Sequence, residues 1–318
     1  MSTIINLKEI QSIVKSIDVV AAMKEGFIQY SNGNSIVPPV GELLFDNPPG
    51  DVHIKYGYIK GDDFYVIKIA SGFYNNPKLG IPSGQGLMLL FNQKTGQLEA
   101  VLLDEGHLTD IRTAAAGALA ARYFAPTEIK AIGIIGTGVQ AKLQLLHLQE
   151  HTPCRTVWLW GRSMENAQKL KSELGDDFEV HIAATCTELA QNANVIICTT
   201  PAESPLLRTR DIKAGTLILA VGSDTQDKQE LESGILQNAD LVIADSLPQS
   251  KSRGEVYQAV KAGAISEDRI VELGTAIQDS DLHRTNDQQI IVVDLTGVAV
   301  QDIMIASAVY LQFSKMKQ

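Results

Sequence analysis

Six residues limit what this chain can fold into more than any others. Gly136-Thr137-Gly138-Val139-Gln140-Ala141 follow directly on the apolar run AIGII (131–135) and open a helical stretch that runs to about Glu150. The first glycine permits a tight turn, the second lets backbone approach a pyrophosphate, and Ala141 stands where a small residue allows close helix–strand packing. The helix N-terminus then offers free N–H groups to phosphate oxygens. Such a turn between a buried strand and a helix predicts a dinucleotide site.

The residues that follow fit that setting. VWLWG (157–161), VHIA (180–183), VIICTT (195–200), TLILAVG (216–222), LVIAD (241–245) and IIVVDLTG (290–297) are short apolar runs separated by helical or loop pieces, including a helix over 163–173. Short buried strands alternating with helices predict an α/β fold built on a Rossmann-type, doubly wound parallel sheet. An NAD site asks for a carboxylate at the end of the second strand, about 20 residues beyond the turn. Here that strand ends Trp160-Gly161-Arg162-Ser163, with no acid. Arg162 can pair with a 2′-phosphate and Ser163 can donate to it, which favours NADP(H) over NAD(H) within a general NAD(P)(H) expectation.

The N-terminal part reads differently. Residues 7–30 carry apolar side chains at helical intervals, and 36–60 read as loop and short strand punctuated by prolines. YVIKIASG (65–72), GLMLLFN (86–92) and LEAVLLD (98–104) are strand candidates joined by a hairpin-like NQKTGQ turn, giving an antiparallel or mixed sheet. LTDIRTAAAGALAARYFA (108–125) predicts an alanine-rich helix, capped by Thr109 or Asp110 and stopped by Pro126. The final stretch, 298–315, is apolar with helical spacing.

Several polar residues are candidates for chemistry. Lys68 sits in an otherwise apolar strand, where it either snorkels at a sheet edge or points into a polar pocket. Arg112, early in the alanine-rich helix, is either a solvated arginine or a planar fork for a substrate carboxylate; a cation there opposes the helix dipole. Asp224 and Asp294 follow the carboxyl ends of parallel strands, where ligands bind in such sheets, so either can be a site carboxylate or a turn residue. Lys228 and Glu230 read as structural partners or helix-start residues. His53 is the one histidine in a segment suspected of lining a site, and no metal-ligand spacing or hydrolase motif stands out.

Composition excludes other classes. The 318 residues are 45% apolar and 20% charged, with mean hydropathy +0.02, which is enough to bury a real core and argues against disorder. Three cysteines, Cys154, Cys186 and Cys198, cannot form a disulfide framework. A net charge of −10 repels nucleic-acid backbones and anionic lipids, and no apolar run reaches the length of a membrane span. With no signal-peptide core at the N-terminus, the expected compartment is the cytoplasm.

Taken in order, IKIASGFYNNP, LTDIRTAAAGALAA, IGIIGTGVQA, AVGSDTQDKQELE and VDLTGVAVQD resemble the ornithine cyclodeaminase/mu-crystallin family over nearly the whole chain. That resemblance implies a homodimer and two domains. One is a noncontiguous α+β substrate and dimerisation domain (1–125 with 298–318); the other is the Rossmann domain (126–297). It implies substrate contacts for Lys68 and Arg112, and places the aspartate of the cyclodeaminase branch on Asp224. In that branch, L-ornithine is transiently oxidised, cyclised with loss of ammonia and reduced to L-proline. Arg112 would hold the carboxylate, Asp224 would serve the side-chain amine, and Lys68 would hold the carboxylate or tune charge beside the imine.

Two departures from the family pattern bear on the substrate. The chain reads Pro38-Pro39-Val40-Gly41-Glu42 where the family usually has an arginine, and His53-Ile54-Lys55-Tyr56 where cyclodeaminases carry a Glu-x-Met-Pro-like stretch. Either Lys55 replaces the missing charge, with Glu42 or His53 taking acid/base duty, or the pocket is rebuilt for another substrate. Asp224 favours the cyclodeaminase. Arg162 and the altered 53–56 stretch favour a reductase of cyclic or linear imino acids, or the reverse amino-acid dehydrogenase. A non-enzymatic NADP(H)-dependent ligand binder is the third class.

Overall fold

Every second side chain is buried along the N-terminal strands, as at Val66 and Lys68 or Met88 and Leu90, the pattern of a sheet covered on one face. The computed structural model describes residues 2–73 and 75–317. Met1, Gln318 and Tyr74 of the IKIASGFYNNP stretch lie outside the described residues. The chain divides into two units, one made of residues up to Arg112 with those from Val298 onward, the other of Thr113–Gly297. The boundary expected at Pro126 thus falls earlier, inside the alanine-rich helix.

In the first unit, β1 (Thr3–Asn6), α1 (Leu7–Val14) and α2 (Val19–Ser31) precede the strands β2 (Ser35–Ile36), β3 (Gly41–Asp46), β4 (Pro49–Ile59), β5 (Phe64–Phe73), β6 (Gly84–Asn92) and β7 (Leu98–Leu103). Among the described residues they form one sheet, ordered β1-β7-β6-β5-β4-β2, with β3 also paired to β4. Pairing is antiparallel except for β1 with β7. Two expectations are corrected. The helix read over 7–30 is two helices, because the chain turns at Lys15–Asp18 and Asp18 caps the second by accepting from Ala21 N. The segment read as loop and short strand, 36–60, holds the long β3–β4 hairpin, whose second strand runs for 11 residues.

The alanine-rich helix α3 (His107–Phe124) begins earlier than Thr109. Its cap is Asp104, whose Oδ2 accepts from Leu108 N at 2.9 Å.

The second unit is a parallel sheet of eight strands among the described residues: β8 (Ile132–Ile135), β9 (Thr156–Trp160), β10 (Glu179–Ile182), β11 (Val195–Cys198), β12 (Leu217–Ala220), β13 (Leu241–Ala244), β14 (Ile270–Glu272) and β15 (Ile291–Asp294). Helices α4 (Val139–Leu148), α5 (Met164–Leu174), α6 (Cys186–Asn192), α7 (Ser233–Asn238), α8 (Gly254–Lys261) and α9 (Leu273–Gln278) connect them. The order is β10-β9-β8-β11-β12-β15-β13-β14. It reverses between β8 and β11, and the crevice beyond the carboxyl ends at that point is where such sheets take ligands. The final helix, α10 (Ala299–Met316), returns to the first unit and packs on α2, β4 and β5. No described helix is long and apolar enough to cross a membrane.

Close helix–sheet packing has a local test at Gly133 in β8. A Cβ there would overlap the Leu189 side chain and lie 3.1 Å from the Ala193 Cβ at the end of α6. Gly133→Val is expected to lower the unfolding free energy by about 1–3 kcal/mol. A urea midpoint equal to the parent's would show that α6 moves aside freely.

Candidate active site

The crevice at the strand-order reversal is built from three loops that leave β8, β9 and β11. Gly136 adopts φ 126°, open to glycine but strained for other residues, and a side chain there would strike Thr199 Oγ1. Gly138 is the N-cap of α4, with nothing within 4 Å of where a Cβ would sit and no side chain capping the helix. The first N–H groups of α4 therefore have neither an intrahelical acceptor nor a side-chain cap, the condition that suits a phosphate. Val139 is exposed, Gln140 is half-buried, and Ala141 is fully buried against the sheet. The groove lined by Gly136–Gly138, Arg162, Ser163 and Thr199–Ala202 encloses about 350 Å³.

At the end of β9, Arg162 is exposed, and Ser163 caps α5 by accepting from Asn166 N at 3.3 Å, which leaves its own proton free to donate. Asp294 does not serve the crevice as expected. It is fully buried, and its Oδ2 accepts from Val256 N at 2.8 Å, so the carboxyl is engaged by the start of α8. Burial, with Glu255 nearby, holds it well above the usual carboxylate range. Asp224 pairs with Lys228 Nζ at 2.6 Å and is 39% exposed.

In the first unit the structure gathers Lys68, Arg112 and a residue that sequence reasoning passed over, Asp302. Lys68 faces inward from β5, Arg112 projects from the first turns of α3, and Asp302 from the first turn of α10. All three are buried. Asp302 Oδ2 lies 3.2 Å from Lys68 Nζ, and its Oδ1 lies 3.3 Å from Arg112 Nε. Arg112 Nη1 donates to Gln301 Oε1 at 3.0 Å, and Gln301 Nε2 donates to the Arg112 carbonyl at 3.2 Å. Of the two readings open for Lys68, the buried polar position is the one observed.

The surroundings add charge. Lys55 is buried and sits directly opposite Lys68 in the β4–β5 register, so both occupy the covered face. His53, two residues earlier on that face, lies 3.7 Å from Glu42 on β3. Asp104 is also buried. Two cations, Lys68 and Arg112, thus share the one carboxylate of Asp302, an excess of one positive charge in that set. Burial pulls the Lys68 ammonium below its ordinary range, Asp302 opposes that shift, and Arg112 adds to it. A desolvated cationic cluster with one charge in excess is suited to a substrate carboxylate.

Asp302 and Gln301 were legible only as part of VDLTGVAVQD. The available signal was a carboxylate between Val300 and Ile303 on the apolar side of a helix.

A doubly wound parallel sheet with a glycine turn at its strand-order reversal is the architecture of nicotinamide-dependent enzymes, and the chain is one of them. The family model for the ornithine cyclodeaminase/mu-crystallin family matches residues 2–317, and the chain belongs to that family. It is 37% identical to the uncharacterized cyclodeaminase y4tK of Sinorhizobium fredii over 95% of this chain and 93% of that one. An archaeal alanine dehydrogenase dimer with bound NAD superposes with TM-score 0.90 at 29% identity, covering 100% and 97% of the two chains. The Thermococcus litoralis Δ1-pyrroline-2-carboxylate reductase, in complex with NADH and L-proline, gives TM-score 0.92 at 25% identity, covering 99% and 98%.

Two buried carboxyls of the second unit carry a pH consequence. Burial raises Glu230 from 4.5 to about 8 and Glu255 from 4.5 to about 7. Between those limits the folded chain holds more protons than the unfolded chain, so stability falls as pH rises from about 4.5 toward 8. Urea midpoints at pH 5 and pH 8 should show this loss. Glu230→Gln should reduce it, and an unchanged pH slope in that variant would remove Glu230 as a source.

Proposed function

We propose that the chain is an NAD(P)H-dependent reductase of a small 2-imino acid, equally an amino-acid dehydrogenase in reverse. The observation that carries this reading is the charge of the buried cluster. Lys68 and Arg112 share the single carboxylate of Asp302, which favours a further carboxylate and disfavours the second ammonium group that a diamino acid would bring. Arg112 would grip the substrate carboxylate through its planar fork, with Gln301 fixing the guanidinium. Lys68 would hold a proton at Nζ for the imine nitrogen, its lowered pKa easing release of that proton. A bound nicotinamide supplies hydride chemistry, and Gly136–Ala141 with Ser163 would hold the cofactor. The exposed Arg162 and the missing acid favour NADP(H), as the sequence implies.

L-Ornithine cyclodeamination is the second reading, favoured by Asp224 and by the likeness to the y4tK cyclodeaminase. Against it, Asp224 is already paired with Lys228 at 2.6 Å. The biological unit would be a homodimer. Leu43, Leu44 and Phe45 of β3 are 54%, 77% and 43% exposed, an apolar edge that a second copy would cover.

A substrate panel separates the readings. Pyruvate with ammonia, Δ1-pyrroline-2-carboxylate, alanine, lysine and ornithine would each be run with all four nicotinamide cofactors while ammonia and absorbance are followed. Stoichiometric loss of NAD(P)H with an imino acid is expected. Ammonia release from ornithine without net cofactor change would reverse the order of the two. Arg112→Ala is expected to raise KM for the carboxylate substrate tenfold or more; a KM within twofold of the parent's would remove Arg112 as its anchor.

A further inference from the structure

Glu230 is buried, yet it belongs to no strand or helix of the second unit. Its carboxyl bridges the carboxyl ends of two adjacent strands. Oε1 accepts from Thr200 N at 2.6 Å and lies 2.7 Å from Thr200 Oγ1, just beyond β11. Oε2 accepts from Gly222 N at 3.0 Å, just beyond β12. Thr200 is part of the crevice wall formed by Thr199–Ala202.

Glu230 is itself held from behind. Its backbone N donates to Glu255 Oε1 at 2.6 Å, and Leu231 N donates to Glu255 Oε2 at 3.1 Å. Glu255 lies in the first turn of α8, where Asp294 accepts from Val256 N. Three successive buried carboxyls thus run from β15 through α8 to the crevice wall. Glu230 accepts from backbone just beyond two strands, Glu255 from the loop that carries Glu230, and Asp294 from the start of α8.

We propose that Glu230 is a positioning residue for the nicotinamide cofactor, tying the ends of β11 and β12 together so that Thr199–Ala202 keep the crevice wall in place. The proposal rests on the reading that the crevice takes the cofactor. In its ionised form the carboxyl is chemically specific for the task, because both of its oxygens accept. An amide of the same size replaces one accepting oxygen by a donor, so either Thr200 N loses its partner or Gly222 N, which also donates to the Cys198 carbonyl at 3.1 Å, keeps only that one.

The test is Glu230→Gln in the full-length chain, with NADH and NADPH affinity measured by fluorescence titration well below the melting temperature, alongside steady-state kinetics. The dissociation constant is expected to rise about tenfold for the better-bound cofactor. At saturating cofactor, kcat should stay within about twofold, a split that simple loss of folded protein does not produce. A dissociation constant within twofold of the parent's overturns the proposal, even if the variant melts lower. Thr200→Val, which keeps Glu230 and removes one hydroxyl partner, provides the second measurement if Glu230→Gln does not fold; an unchanged constant there also overturns it. Gly136→Val separates the two levels of argument. If that variant binds cofactor as tightly as the parent, the crevice reading fails. If it loses binding while Glu230→Gln does not, only the role of Glu230 fails.

Discussion

Asp302 sits between Lys68 and Arg112, and this buried ion triad ties three elements of the first unit together. Each of the three side chains comes from a different element, β5, α3 and α10, and each is nearly inaccessible to water. Removing one partner from such a set leaves uncompensated charge in a low dielectric, at a cost of about 3–5 kcal/mol. The last helix is therefore needed by a strand and a helix encoded far upstream. The proposed reading gives these residues a second task, because two cations around one carboxylate retain capacity for another.

The second unit handles polar burial in the opposite sense. Its sheet is apolar on both faces, and the N–H groups just past the strands pair with neighbouring carbonyls, as Thr199 N does with Ile135 O. Buried carboxyls add acceptors in the loops and at a helix start: Glu230 takes Thr200 N, Asp294 takes Val256 N, and Asp245 takes Gly297 N and Thr296 Oγ1. Acceptors on fixed side chains hold loops that would otherwise be free to shift, and those loops form the edge on which a dinucleotide depends. One unit buries a cationic pair around a carboxylate, while the other buries carboxyls that hold its loops.

Much of this was readable in the chain, for identifiable reasons. The Gly136–Ala141 turn and the short parallel strands announced themselves because doubly buried strands must be apolar throughout. Prolines at 48 and 49 disguised β4, although a strand may begin at a proline. Continuous helical periodicity over 7–30 hid the turn at Lys15–Asp18. Asp302 escaped notice because its meaning lies in partners more than a hundred residues away, and local pattern carries no signal of such pairing. Asp294 was assigned by its place at a strand end, but a strand-end carboxylate can turn inward to a helix start as readily as outward to a ligand.

The most direct measurement is a crystal structure of the chain with oxidised cofactor and the amino acid that the substrate panel selects. Density for that amino acid's carboxylate on the Arg112 guanidinium, with its nitrogen beside Lys68 Nζ, is the predicted result. A carboxylate bound elsewhere, with Lys68, Asp302 and Arg112 still paired only to one another, would contradict the account.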